Sequence, residues 1–190
     1  KDAKIDDVAF HVNSNALTQG HLTKEETAPW REVISKGKAL LDAVGVKTSI
    51  NPNITTMHND GGLELRPGQN FTLMVDPYGK QASVQVCPLC AEWRRYITEM
   101  YAYYASLEPH MLWVEDDFRL HNHVPLEWGG CFCDLHMEEF SRMAGRKLGR
   151  EEFVQGLLQP GEPHPFRKMW LDTGCESMAE LAKLIGNAVH

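Results

Sequence analysis

With 190 residues, 43% of them hydrophobic and 24% charged, the chain is long enough to bury a core and ordinary in composition for a globular protein. Its formal charge of −7 argues against a nucleic-acid partner, because phosphate binding needs clustered Lys and Arg. No apolar run approaches the roughly 20 residues of a membrane-spanning helix.

The five cysteines are an odd number, which fits a metal site or free thiols at least as well as a disulfide framework. The compartment, cytoplasmic or exported, stays open. Lys1 at the start, in place of Met, leaves room for a removed leader.

In chain order, Asp7 to Asn13 is a short apolar run that turns polar at its end, a first strand. Thr23-Lys24-Glu25-Glu26 has the Thr-x-x-Glu form of a capping box. From Trp30 the positions Val33, Ile34, Leu40, Leu41 and Val44 keep helical spacing until Gly45 stops the helix. Val46 to Ile50 is a second strand running into Asn51-Pro52-Asn53, followed by a Gly- and Asn-rich loop to about Asn70. Asp76-Pro77-Tyr78-Gly79 is a turn between two alternating segments and predicts a small hairpin. Trp93, Tyr96, Ile97, Met100, Tyr101 and Tyr104 recur at three and four, the buried stripe of a strong helix. Met111 to Val114 is a third buried strand. Helical patterns return from Leu135 to Met143 and from Ser177 to Val189.

Strand and helix in alternation predict a parallel sheet with right-handed crossovers. Polar residues gather at the C-terminal ends of all three strands: His11 and Asn13, Asn51 and Asn53, then Glu115, Asp116 and Asp117. Parallel α/β folds put their sites at that edge. No Gly-rich phosphate loop follows the first strand, which counts against a nucleotide-binding sheet.

The acids lead into Cys131-Phe132-Cys133-Asp134-Leu135-His136, where Cys-x-Cys-x-x-His offers three zinc ligands from one tight loop. Three adjacent acids cannot enter a core without heavy desolvation cost, so the chain surfaces at Glu115. A solvated acidic loop, or a carboxylate paired with Arg119, is the plain alternative to a catalytic role. Buried thiols, or a Cys87–Cys131 disulfide, is the alternative to a metal.

From Val86 to Gly145 the chain resembles the middle of a clan-A (β/α)8 glycoside hydrolase, most of all the family-42 β-galactosidases. The features that carry this are Cys87-Pro88 ahead of Trp93-Arg94, the Trp-led run from Trp113 to Phe118, and the cysteine loop running into a helix with Phe140. The resemblance implies a partial TIM barrel, about strands two to four, with parallel strands and a small β-hairpin insertion. Residues 1–190 would then be a single domain, a fragment of a barrel that takes about 250 residues.

The same resemblance implies a retaining hydrolase of a β-linked sugar, with Asp117 at the acid/base position and Asp116 where the family has Asn. Glu115 is the third acid of the site. Retention needs a second carboxylate about 5 Å away, which the register puts beyond His190. The resemblance also implies that Cys87 joins Cys131, Cys133 and His136 in a structural zinc site, with Cys90 as substitute if the register slips.

Arg119, His121, Asn51 and Trp128 are the candidate substrate contacts, and His123 follows in the same loop. Trp128 and Trp170 can stack on sugar rings, whereas Trp93 and Trp113 sit at core spacing and Cys175 reads as a helix-buried thiol. The expected partner is a carbohydrate; a homo-oligomer is left open.

Two further readings accompany the hydrolase. One is a degenerate barrel that binds carbohydrate or serves a structural role. The other is a metal-dependent hydrolase whose ion sits on Asp116, His121 and His123.

Overall fold

The computed structural model describes residues 4–12, 20–115, 117–120 and 123–190. In chain order the elements are β1 (Asp7–His11), α1 (Lys24–Asp42), β2 (Lys47–Asn51), β3 (Leu73–Val75), β4 (Gln81–Val86), α2 (Ala91–Ala105), α3 (Asp134–Ala144), α4 (Arg150–Leu158) and α5 (Pro165–Val189). Asn13, read as the end of the first strand, lies outside the described residues.

Local chemistry explains the two ends of α1. Thr23 caps α1: its hydroxyl accepts from Glu26 N, and the Glu26 carboxylate accepts from Thr23 N, so two orphan donors of the first turn are satisfied reciprocally. At its end, Gly45 takes φ +76°, a conformation that glycine adopts without steric cost. Inside α1, Gly37 is where the Phe10 ring of β1 lies against the helix. A Cβ there would come within 2.7 Å of that ring.

β1 and β2 pair in parallel, register Asp7 to Lys47 through His11 to Asn51. β3 and β4 form the antiparallel hairpin expected around Asp76-Pro77-Tyr78-Gly79. The partial (β/α)8 barrel is not built. Among the described residues there are two two-stranded sheets and no larger one.

The apolar run read as a third strand makes a single parallel bridge, Leu112 beside Ile50. His110 N donates to Thr48 O at 2.7 Å, Ile50 N to Met111 O at 2.9 Å and Trp113 N to Ile50 O at 2.8 Å. Met111, Trp113 and Val114 stay exposed, Trp113 at 48%, so the run is not the buried strand its composition suggested. An apolar run signals strand-forming tendency; it carries no information about what covers the second face.

The helix expected from Trp30 to Gly45 is present as α1. Its spacing is helical, but Val33 (61% exposed) and Leu40 (74%) face solvent, and Thr27 and Ile34 are its buried residues.

Three apolar clusters hold the chain. In the first, α2 gives Trp93, Ile97, Met100, Tyr101 and Tyr104, which pack with Ile50, Val86 and, from α5, Leu181 and Ile185. In the second, Met74, Val75, Ala82 and Leu126 surround Cys87, Cys131 and Cys133. In the third, Phe132, Phe140, Leu148, Phe153 and Leu157 join α3 and α4. Burying each large side chain contributes about 1.5–3 kcal/mol relative to exposure, so these clusters decide which faces turn inward. Among the described residues no helix is long and apolar enough to cross a membrane.

Candidate metal centre and acidic cluster

The cysteine loop is fixed by its alternation. Phe132 N donates to Val75 O at 2.8 Å, so the loop runs alongside the hairpin in an extended form. In an extended segment neighbouring side chains point to opposite sides. Phe132 therefore enters the aromatic cluster with Phe140 and Phe153, and Cys131 and Cys133 turn toward Cys87. Cys87 sits directly after β4, held by its N–H on Thr72 O at 2.8 Å. His136, on the first turn of α3, completes the group.

The ligand atoms of Cys87, Cys131, Cys133 and His136 all lie within 4.8 Å of one another, and all four residues are buried. His136 Nδ1 is 3.2 Å from Cys87 Sγ and 3.7 Å from Cys133 Sγ. Tetrahedral zinc, with Zn–S about 2.3 Å and Zn–N about 2.0 Å, spaces its donors roughly 3.5–3.8 Å apart. Donor types and spacing both fit a metal ion such as zinc.

The surroundings favour a thiolate at Cys133 and supply N–H donors to the other two sulfurs. Leu89 N donates to Cys87 Sγ and Cys133 N to Cys131 Sγ, each at 3.4 Å. Cys133 is also the N-cap of α3, at the positive end of the helix dipole. Without a cation the charge is unevenly shared. Hydrogen bonds from Cys131 and then Cys87 drive the Cys133 thiol far down, while burial pushes Cys131 up to about 12 and Cys87 well above the usual thiol range. A divalent ion removes that frustration by stabilising all three as thiolates. The far side of His136, Nε2, is buried without a hydrogen-bond partner. Its ring is oriented by packing on Phe140, centroids 5.9 Å apart.

Cys90, the substitute ligand, is not part of the group: its sulfur accepts from Thr72 N at 3.2 Å and faces Glu92. None of the five cysteines is in a disulfide, so Cys87 and Cys131 are not bridged, and Cys175 is exposed rather than helix-buried.

The acids form a second constellation. Glu115 Oε2 accepts from Asp117 N at 3.0 Å. Asp117 Oδ1 faces His58 Nδ1 at 2.8 Å and accepts from Arg119 at 3.0 Å. The Arg119 guanidinium also donates to His123 Nε2 at 3.2 Å, and the His58 and His123 rings lie with centroids 4.1 Å apart. Thr56 fixes the backbone beneath: its hydroxyl lies 3.2 Å from the carbonyl of Asp117 and 2.9 Å from that of Arg119. The segment after β2 and the acidic loop are thereby held together.

Asp116 and His121 lie outside the described residues, and with them most of the expected ion site on Asp116, His121 and His123. Asn51 spends its side-chain oxygen locally, accepting from Asn53 N at 2.9 Å. Trp128 is half exposed and stacks on Trp170, centroids 5.5 Å apart.

His58 was given no role by its sequence, because its partner lies 59 residues away and nothing local marks it. Helix α4 was also missed, although Phe153, Val154 and Leu157 at helical spacing behind Glu151 and Glu152 carried the signal.

Compared with protein-family models, curated proteins and solved structures, the chain matches none of them. With neither a family match nor a barrel, the resemblance to family-42 β-galactosidases does not hold.

Proposed function

We propose that this protein is a glycoside hydrolase acting on a β-linked sugar, in which the acidic cluster handles the proton and a structural zinc braces the adjoining loop. The observation that carries the reading is Asp117, held between His58 at 2.8 Å and Arg119 at 3.0 Å where the chain leaves its pairing with β2. Acetal cleavage needs proton transfer at the departing oxygen from a positioned side chain. A carboxylate paired with an imidazole is such a device, and Arg119 offsets the charge of the acids.

Zinc on Cys87, Cys131, Cys133 and His136 would be structural, since four protein ligands leave no open position for substrate. It would tie the end of β4 to the start of α3.

A second reading has one specific support. Asp117 Oδ1 is already occupied by a guanidinium, which favours a carboxylate that orients and binds over one that gives up a proton. In that reading the chain binds carbohydrate without cleaving it.

Matched panels of α- and β-nitrophenyl glycosides, assayed with wild type and Asp117→Ala, separate the two. Turnover of a β-glycoside that falls about 100-fold or more in the variant supports the hydrolase. Absence of turnover on every sugar moves the reading to binding alone.

A further inference from the structure

An aromatic column runs from the core to the surface beside the cysteine loop. Phe132 is fully buried, and Trp170 of α5 stacks on it with centroids 6.4 Å apart and planes 15° from parallel. Trp128 stacks on Trp170 at 5.5 Å and 26° and remains 49% exposed. Trp128 also holds φ +65°, a left-handed conformation that a bulky side chain adopts only when its surroundings enforce it.

The enforcement is visible on both sides. Leu126 is buried, and Glu127 N donates to Asp76 Oδ2 at 3.1 Å. The other oxygen of that buried carboxylate accepts from Tyr78 N and Lys80 N, each at 2.9 Å. One carboxylate thus fixes the two turns that display Trp128 and Tyr78, the latter 68% exposed.

Between the hairpin turn and α4 lies a cleft of about 450 Å³ lined by Pro77, Tyr78, Arg150, Glu151, Val154 and Gln155. Arg150 links it to the column, donating to Phe132 O at 3.0 Å.

We infer that this surface is a carbohydrate-binding subsite, separate from the acidic cluster, that takes neutral pyranose units of a polysaccharide chain. Held, exposed aromatic rings match the apolar face of a pyranose at little entropic cost. Gln155 Nε2 donates to Glu151 Oε1 at 3.3 Å, and the remaining amide and carboxylate positions give hydroxyls both donors and acceptors. A net charge of −7 opposes nucleic acid on the same rings. The inference rests on the carbohydrate reading above, deepening it from a sugar to a chain.

Native electrophoresis of the full chain through gels containing soluble β-1,4-galactan, xyloglucan or mixed-linkage β-glucan tests it. Wild type should be retarded in at least one gel. Trp128→Ala and, as a second variant at a more exposed position, Tyr78→Ala should each weaken that retention by about tenfold. No retardation in any gel, or retention unchanged in both variants, overturns the subsite. Turnover of aryl glycosides by the wild type is a separate measurement. Retained binding without turnover sinks the hydrolase and leaves the subsite, and turnover without retention does the reverse.

Discussion

His58 Nδ1 and Asp117 Oδ1 meet at 2.8 Å across 59 residues of sequence. A carboxylate on one imidazole nitrogen fixes the orientation of the ring, and the ring in turn holds the carboxylate in place. The pair therefore acts as a unit, and losing either partner should cost about as much as losing both.

His58→Ala, Asp117→Asn and the double variant, assayed on the best β-glycoside, are each expected to lower kcat by about 100-fold or more, with KM changed far less. Thermal unfolding should move little, because both side chains are only partly buried. Additive losses in the double variant would show that the two residues act independently.

The zinc site makes a stoichiometric prediction. Protein purified without chelators should carry one zinc per chain, and Cys133→Ser or Cys87→Ser should lose it. Cys90→Ser and Cys175→Ser should keep it, since neither sulfur belongs to the group. Structural zinc commonly contributes several kcal/mol to folding. At about 2–4 °C per kcal/mol for a chain of this size, removal should lower Tm by on the order of 10 °C or more. Metal content well below one equivalent in protein expressed with ample zinc would reject the site.

These elements differ in how far the sequence revealed them. The capping box at Thr23, the hairpin around Asp76 and the tyrosine stripe of α2 follow from neighbours within four residues, and local spacing records such features. Cys131, Cys133 and His136 were legible for the same reason, whereas Cys87 came from a resemblance that the fold did not sustain. Met111, Trp113 and Val114 are apolar yet exposed, because strand character does not fix burial on both faces. The role of His58 depends on a contact between distant segments, and no single-sequence pattern encodes one.

Asp60 offers a test of how the loop before the hairpin is held. Its carboxylate is buried and accepts from three consecutive N–H groups of β4: Ser83 at 2.7 Å, Val84 at 3.1 Å and Gln85 at 3.3 Å. Asp60→Ala strands those donors, and leaving a buried donor unmet costs about 1–3 kcal/mol each where water cannot substitute. Urea unfolding should show a loss of about 3 kcal/mol, and Asp60→Asn, which keeps one acceptor oxygen, a smaller one. Because β4 leads directly into Cys87, zinc affinity should fall in the same order. Unchanged stability in Asp60→Ala would mean that water replaces the carboxylate without cost.

His21 predicts a pH dependence with a definite sign. The ring is buried among Phe71, Trp93 and Tyr96, and its Nε2–H donates to Val84 O at 2.9 Å. Burial, only partly offset by that hydrogen bond, lowers its pKa from 6.5 to about 4. Between those values the unfolded chain binds a proton that the folded chain refuses. The stability associated with this ring is therefore complete above pH 6.5 and declines as pH falls toward 4. At about 1.36 kcal/mol per unit, the decline is on the order of 3 kcal/mol. His21→Gln keeps a donor for Val84 O but cannot titrate. The difference in unfolding free energy between wild type and variant, followed from pH 7.5 to 4 by denaturant titration, should shift against wild type by that amount. A difference that stays flat with pH would show that His21 is reached by water in the folded state.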